Sequence, residues 1–152
     1  MKSIYIFFVF FLFSTILILT SCKKIAEKVV TVTDLQRYFD QEVLNKNFVV
    51  DLASDSTTVK TAEFNGYQFI LTRTNSYIDG PMIGFLGTDT IRGTWTSNDD
   101  YGFLTINLTN PTPPAYFEFL NRKWRFVRKN LPLMELAPYG STDPKVLNMR
   151  RL

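Results

Sequence analysis

The chain has 152 residues, 45% of them hydrophobic and 15% aromatic, which is enough for one globular core but not for two comfortable ones. It contains one cysteine and no histidine, so an internal disulfide, the usual histidine-containing zinc sites and histidine-based catalytic triads are excluded. The formal net charge of +3 is too small to indicate a polyanionic partner, and nucleic-acid binding is not expected.

Residues 1–21 are predicted to be a signal peptide. Lys2 and the free amine form a short positive region, and the run from Ile4 to Leu19 is apolar and uncharged. The sequence Leu19-Thr20-Ser21-Cys22 follows, with leucine three positions before the cysteine and a small residue directly before it. These four residues resemble the lipobox of bacterial lipoproteins, in which the chain is cut just ahead of the cysteine.

The lipobox resemblance implies that Cys22 is the mature N-terminus and carries lipid. Its thiol would hold a diacylglycerol group and its new amine a further acyl chain. Because each buried methylene contributes about 0.8 kcal/mol, two or three chains anchor a protein stably where one is marginal. The alternative is an uncleaved membrane-spanning segment, since residues 4–21 are uncharged and Lys23-Lys24 would serve as a cytoplasmic flank.

The residue after Cys22 predicts the destination of the lipoprotein. An aspartate at this position would favour retention in the inner membrane, but the chain has Lys23. No acidic run follows the cysteine, which favours the periplasmic face of the outer membrane. The membrane is therefore an expected partner of the chain through Cys22.

A tether and one amphipathic helix are predicted before the first strand. Residues 22–32 have no turn signals and are predicted to be a lipidated tether, and residues 33–152 are predicted to form the single folded domain. Thr33 and Gln36 have the spacing of a capping box. An apolar stripe follows on a helix predicted over residues 33–45, namely Leu35, Tyr38, Phe39 and Val43.

From Phe48 onward the apolar pattern alternates as in strands. Strands are predicted over residues 47–54, 64–74, 90–97 and 103–108, and a less regular pair or bent strand over residues 76–87, interrupted at Asp79-Gly80-Pro81. Three prolines between residues 111 and 114 end the pattern, and Pro114 is expected at the first position of a short crossover helix, over residues 114–121. Three strands follow, at residues 123–129, 133–137 and 145–152.

The predicted fold is mainly β: an antiparallel meander of seven or eight short strands with an N-terminal helix and a crossover helix. A meander of this size forms either a barrel or a sandwich. The barrel is favoured because closure leaves no free strand edge.

The order of these pieces resembles the small lipocalin-like lipoproteins of certain Gram-negative bacteria. The resemblance covers about residues 47–152 and rests on "FNGYQFIL", "GTWTSNDD", "LTINL", the proline-rich step, "FEFLNRKW" and "VLNMRRL" behind a lipobox. It implies a small β-barrel held at a membrane, usually with no assigned activity. True lipocalins place Gly-x-Trp in their first strand, whereas Gly93-Thr94-Trp95 lies well inside this chain, so no ligand-contacting residue is transferred.

Six apolar residues are predicted to converge inside the barrel, either as packed core or as the wall of a ligand site. Large residues at every second position point to the same side of a strand. Filling of the core is favoured over ligand binding because the strands are short and aromatic residues are numerous. The six are Tyr67, Phe69, Trp95, Leu104, Ile106 and Trp124.

Three other patterns are weaker functional candidates. The basic stretch over residues 121–130 could bind phosphate groups, but alternation predicts a solvated strand that protects a sheet edge. Asn98, Asp99 and Asp100 could bind calcium, but they are more typical of a tight turn. The acidic residues Glu63, Glu118 and Glu135 cannot be paired from the sequence into a two-carboxylate site.

The sequence therefore predicts a monomeric binding or structural domain at the cell envelope, without catalysis, metal or cofactor. The partner would be another envelope protein or a small apolar ligand carried in the barrel. An envelope enzyme that uses carboxylates is the less favoured alternative, because it would need strongly shifted pKa values near neutral pH.

Overall fold

Antiparallel strands make up most of the chain described in the computed structural model, which covers residues 34–152. The predicted signal peptide, Cys22, the tether and Thr33 lie outside the described residues. A helix, α1, covers residues 34–42; among residues 34–152 no helix is long and apolar enough to cross a bilayer. The strands are β1 (Asn47–Asp55), β2 (Thr58–Val59), β3 (Gln68–Leu71), β4 (Asp79–Leu86), β5 (Asp89–Thr96), β6 (Phe103–Asn110), β7 (Lys123–Asn130), β8 (Leu133–Pro138) and β9 (Lys145–Arg151).

Eight of these strands form a closed barrel, which confirms the predicted mainly β antiparallel fold. The strand order is β1-β3-β4-β5-β6-β7-β8-β9, and β9 returns to pair with β1 from Phe48↔Arg151 to Asp55↔Lys145. The two-residue strand β2 pairs with the end of β1 and stands outside this circle. Residues Arg37–Leu152 form one compact unit.

Alternation along the strands places the core inside the barrel. Leu104, Ile106 and Leu108 on β6 are at most 1% exposed, whereas the residues between them are half-buried or exposed. The same period of two was predicted for this strand from the sequence. Because successive side chains point to opposite faces, each barrel strand contributes one side to the core and one to solvent.

Helix α1 covers one end of the barrel, here called the helix end. Phe39 lies 5.3 Å from Trp95 and stacks on Tyr101 at 4.3 Å between ring centroids. The Glu42 carboxylate accepts a hydrogen bond from Arg151, at the end of β9. The predicted helix at residues 33–45 is therefore present, and its aromatic stripe supplies a buried ring to the core.

Two short 3-10 helices, Thr61–Phe64 and Ala115–Phe119, lie at the opposite end, here called the 3-10 end. Phe64 of the first and Phe117 of the second are buried and meet edge to face, with ring centroids 5.9 Å apart. The crossover predicted after the proline-rich step is present as a 3-10 helix, and Pro114 precedes it as the cap residue. Phe64, which was predicted to begin a strand, instead belongs to the first 3-10 helix.

Strand β4 runs through Asp79-Gly80-Pro81, so the predicted interruption there is wrong. Gly80 fits because a Cβ atom at this position would lie 2.1 Å from the Thr72 carbonyl oxygen. Pro81 accepts a hydrogen bond from the Thr72 N–H at 2.9 Å but has no N–H to return. The Trp95 indole N–H instead donates to the Thr72 carbonyl oxygen, at 2.6 Å. A side chain from β5 thus replaces the hydrogen bond that proline cannot make.

Strand β7 contains a bulge at Val127 that the alternating pattern did not reveal. Phe126 pairs with Leu136 and Arg128 pairs with the adjacent Glu135. Two steps along β7 therefore correspond to one step along β8, and Val127 is the extra residue. Arg128 therefore lies outside, where it forms an ion pair with Glu135 at 3.2 Å. Strict alternation along the strand would place Arg128 on the same face as Trp124, and the extra residue at the bulge reverses this.

Candidate binding site

The barrel interior is the first candidate site, and all six predicted interior residues lie there. Phe69, Trp95 and Trp124 are fully buried, and the others are between 1% and 6% exposed. They come from β3, β5, β6 and β7, apart from Tyr67, which directly precedes β3. The fold thus brings together side chains that are up to 57 positions apart in the sequence.

Aromatic rings connect these residues to the two covered ends. Phe69 and Phe117 are 6.3 Å apart, and Phe119 and Trp124 are 5.6 Å apart between ring centroids, both in tilted arrangements. At the helix end, Phe39 contacts the Trp95 ring. An eight-stranded barrel is just wide enough to be filled by side chains or to hold one small ligand. The packed rings favour the filled state.

The polar atoms of the interior aromatic residues bind the protein itself. The Trp124 indole N–H donates to the Leu120 carbonyl at 2.9 Å, as that of Trp95 does to Thr72. The Tyr116 hydroxyl donates to the Tyr67 hydroxyl at 3.3 Å. This hydrogen bond, with smaller effects from burial and from nearby Tyr67 and Glu63, raises the pKa of Tyr116 to about 12. A ligand inside the barrel would have to displace internal partners to use these groups.

A second candidate is a pocket of about 180 Å³ at the 3-10 end. The end of β1, the start of β9 and the second 3-10 helix surround it. Its wall is mainly polar and carries both signs of charge, unlike the apolar walls typical of small-molecule sites. The lining residues are Asp55, Lys60, Ala115, Tyr116, Glu118, Phe119, Arg122 and Lys145.

Most cations of this pocket are already bound by the protein. Lys145 donates to both carboxylate oxygens of Asp143, at 2.8 and 2.7 Å, and lies 3.2 Å from Asp55. These contacts raise the pKa of Lys145, and the hydrogen bond from Lys145 lowers the pKa of Asp143. The Arg122 Nε–H donates to the Phe119 carbonyl at 2.9 Å. The pocket is therefore best described as an ion-pair network at the barrel end.

Sequence reasoning did not find this network. Asp55 and Lys145 are 90 positions apart and meet because β1 and β9 pair in register. Neither residue belongs to a recognisable motif. The closing pair of strands can be expected from a barrel prediction, but the register that sets these two charges opposite each other cannot.

Of the remaining predicted candidates, Glu118 lies in the wall of the pocket and the others lie outside both sites. Gly102 N–H donates to Asn98 Oδ1 at 2.7 Å and to Asp100 Oδ1 at 2.9 Å, as in a tight turn. Glu63 and Glu118 lie at the 3-10 end, whereas Glu135 pairs with Arg128 on the outer surface. Within residues 34–152 no three metal-ligating side chains come together.

The fold and these sites define a small closed β-barrel protein. No protein-family model matches the chain, and no curated protein matches it. A similar solved structure is the crystal structure of a DUF4847 family protein from Bacteroides vulgatus ATCC 8482, with 13% identity and a TM-score of 0.49, covering 73% of this chain and 95% of that one. The lipocalin-like relationship stays a prediction.

Proposed function

We propose that this protein is a monomeric lipoprotein of the bacterial envelope whose barrel is a structural or protein-interaction domain rather than a carrier. Cys22 would anchor it to the periplasmic face of the outer membrane. The lipobox-like residues from Leu19 to Cys22 support the anchor. The filled barrel supports the role of the domain, because a domain without an internal site acts through its outer surface.

The observation that carries this proposal is the packing of the interior. Both tryptophans are fully buried, both indole N–H groups donate to backbone carbonyls of the same chain, and aromatic side chains cover both barrel ends. Carriage of an apolar ligand would require several of these rings to move together. Interiors packed to crystal-like density resist such movement, because every displaced ring needs a new cavity.

The proposal also holds that the domain has no catalytic role. The pocket at the 3-10 end offers Lys145 and Asp143 as titratable groups, but their mutual hydrogen bonds stabilise the charged form of each. A general acid or base near neutral pH needs the opposite condition, a pKa moved toward 7. Their shifts therefore favour an electrostatic link between chain segments.

Ligand titration tests the filled barrel. Residues 33–152, expressed without signal peptide and tether, are expected to be a monomer with a β-dominated circular dichroism spectrum. Trp95 and Trp124 are the two tryptophans of the chain and both report on its interior. Titration with fatty acids, retinoid-like molecules and an apolar dye is expected to give no saturable change in their fluorescence. Stoichiometric quenching at micromolar ligand would instead establish a carrier.

Fatty-acid labelling tests the anchor independently. In cells given a labelled fatty acid, the wild-type chain is expected to carry label and to lose its first 21 residues. Cys22→Ala is expected to remain uncut and unlabelled, whereas the neighbouring Ser21→Ala, which keeps a small residue there, is expected to behave as wild type. Label that persists in Cys22→Ala would disprove attachment at this cysteine.

A further inference from the structure

The outer face of β6, β7 and β8 carries a concentration of basic and aromatic side chains. Phe103 on β6 pairs with Arg125 on β7, and Arg125 pairs with Ala137 on β8. Tyr139 directly follows β8, and its N–H donates to the Lys123 carbonyl. We call this surface the basic-aromatic patch and define it as Phe103, Lys123, Arg125, Val127, Arg128 and Tyr139.

Edge protection does not explain these charges. Basic residues on a strand often prevent pairing with another chain, but this applies to strands with an unpaired edge. Over Lys123–Arg125, strand β7 pairs with β6 on one side and with β8 on the other. The bulge at Val127 also brings Arg128 to the same outer face as Arg125. Lys123 and Arg125 therefore lie on a surface that needs no such protection.

The aromatic residues of the patch hold its central lysine in place. The Lys123 ammonium lies 3.7 Å from the centroid of the Phe103 ring and 3.9 Å from that of Tyr139. The two rings meet edge to face at 5.6 Å. Cation–π contacts of this kind keep a full positive charge at a fixed place on the surface.

Exposed apolar surface lies beside these charges. Val127 is 57% exposed and Tyr139 is 49% exposed. Glu135 pairs with Arg128, which leaves the patch with a net charge of +2. Among the residues whose side chains the structure describes, no carboxylate lies within ion-pair distance of Arg125, which is exposed. The patch therefore offers positive charge and apolar surface side by side.

We propose that the basic-aromatic patch binds the anionic headgroups of the membrane to which the protein is anchored. This inference rests on the proposed lipid anchor at Cys22. Cys22 and Asp34 are twelve positions apart, and a chain of that length spans at most about 40 Å. Strands of eight residues are about 27 Å long, so such a tether allows any face of the barrel to reach the bilayer.

The chemistry of the patch suits a bilayer surface. Basic residues within a Debye length of an anionic leaflet are attracted to it, and tyrosine is enriched at the membrane–water interface, where one end of its ring is apolar and the other is wet. The patch presents both features on one convex face. Anchoring strengthens the effect, because a tethered surface binds at a high effective concentration.

Quenching of a surface fluorophore tests this docking in the full chain. Ala137 lies directly across from Arg125 on β8, and Ala137→Cys adds a small thiol there. If Cys22 is acylated, this thiol is the one available for labelling. The labelled protein is reconstituted into phosphatidylcholine vesicles with or without phosphatidylglycerol, and quenching by neutral acrylamide is measured. We expect the quenching constant to fall severalfold when the anionic lipid is present.

Charge reversal at two exposed arginines supplies the matched comparison. Arg125→Glu is expected to abolish the lipid-dependent protection, since each basic residue near an anionic surface changes the docked-to-undocked ratio about fivefold. Arg92→Glu makes the same charge change on β5, outside the patch, and is expected to leave the protection intact. A label at Val59→Cys, on the exposed strand β2, is expected to show no lipid dependence.

Three results would overturn the docking proposal. The first is equal quenching with and without anionic lipid, and the second is equal loss of protection in Arg92→Glu and Arg125→Glu. The third is protection that appears in neutral vesicles only after envelope proteins are added, which would identify an acidic protein as the partner. The same measurements in a Cys22→Ser background, which keeps the apolar run from Ile4, separate failure of docking from failure of the anchor.

Discussion

Replacement of Trp95 by phenylalanine gives a sharp test of how β4 tolerates a proline. Trp95→Phe keeps an aromatic ring but removes the indole N–H that donates to the Thr72 carbonyl. An unsatisfied buried carbonyl costs about 1–3 kcal/mol, and the smaller ring leaves a cavity that costs roughly 1 kcal/mol more. We therefore expect the free energy of unfolding to fall by about 2–4 kcal/mol.

Trp124→Phe is the matched control for this substitution. Trp124 is also fully buried and donates its indole N–H to the Leu120 carbonyl. That carbonyl accepts a second hydrogen bond, from the Arg122 N–H at 2.8 Å, so it keeps a partner after the substitution. The cost is then mainly that of the cavity, roughly 1 kcal/mol. Trp95→Phe should accordingly be the more destabilising variant by about 1–3 kcal/mol.

A second substitution should restore part of the stability that Trp95→Phe removes. Pro81→Ala introduces an N–H opposite Thr72, where antiparallel pairing supplies a donor in an ordinary strand. In the Trp95→Phe background we expect Pro81→Ala to raise the free energy of unfolding by about 1 kcal/mol. In the wild type, where the Thr72 carbonyl already has the indole N–H, we expect no gain. Urea unfolding of residues 33–152, followed by circular dichroism, measures the wild type and the four variants. Equal costs for the two tryptophan variants, or no coupling to Pro81, would refute this account of β4.

Three further predictions concern the barrel and its ends. Gly93→Ala should prevent correct folding, because its Cβ would lie 1.8 Å from the Asn107 carbonyl oxygen; a soluble, native-like spectrum would contradict this. Phe39→Ala should lower the free energy of unfolding by about 3–5 kcal/mol by opening a cavity under α1, whereas a change below about 1 kcal/mol would show that the helix is not integral. Stability should fall as pH rises from about 10 to about 12, because the unfolded chain releases the Tyr116 proton near its ordinary pKa while the folded chain retains it up to a pKa of about 12. Ultraviolet titration should show this pKa falling in Tyr67→Phe, and an unchanged value would disprove the hydrogen bond as its cause.

The barrel could be predicted largely because its strands are regular. The alternation at Leu104, Ile106 and Leu108 is a local signal that survives folding unchanged, and the six interior residues were chosen by the same rule. The continuity of β4 through Gly80 and Pro81 was not predicted, because glycine and proline ordinarily interrupt a strand. They fit here through groups distant in sequence, the Thr72 backbone and the Trp95 side chain.

The candidate surfaces were less accessible to sequence reasoning. A bulge adds one residue without a sequence signature of its own, so the outward position of Arg128 could not be read from alternation. The contact of Lys123 with two rings depends on the pairing of β6, β7 and β8. The network around Lys145 depends likewise on the register of β9 with β1. Features that depend on strand register across long separations become visible only in the folded chain.

The central claim, a lipid-anchored barrel that carries no ligand, is tested most directly by the mass of the protein purified from its own membranes. The mass after denaturation should equal that of a chain beginning at Cys22 with its acyl groups attached. The mass under native conditions should be the same, because Trp95, Trp124 and their neighbours fill the interior. A native mass that exceeds the denatured mass by one small apolar molecule, or an unacylated chain that begins elsewhere, would contradict the claim.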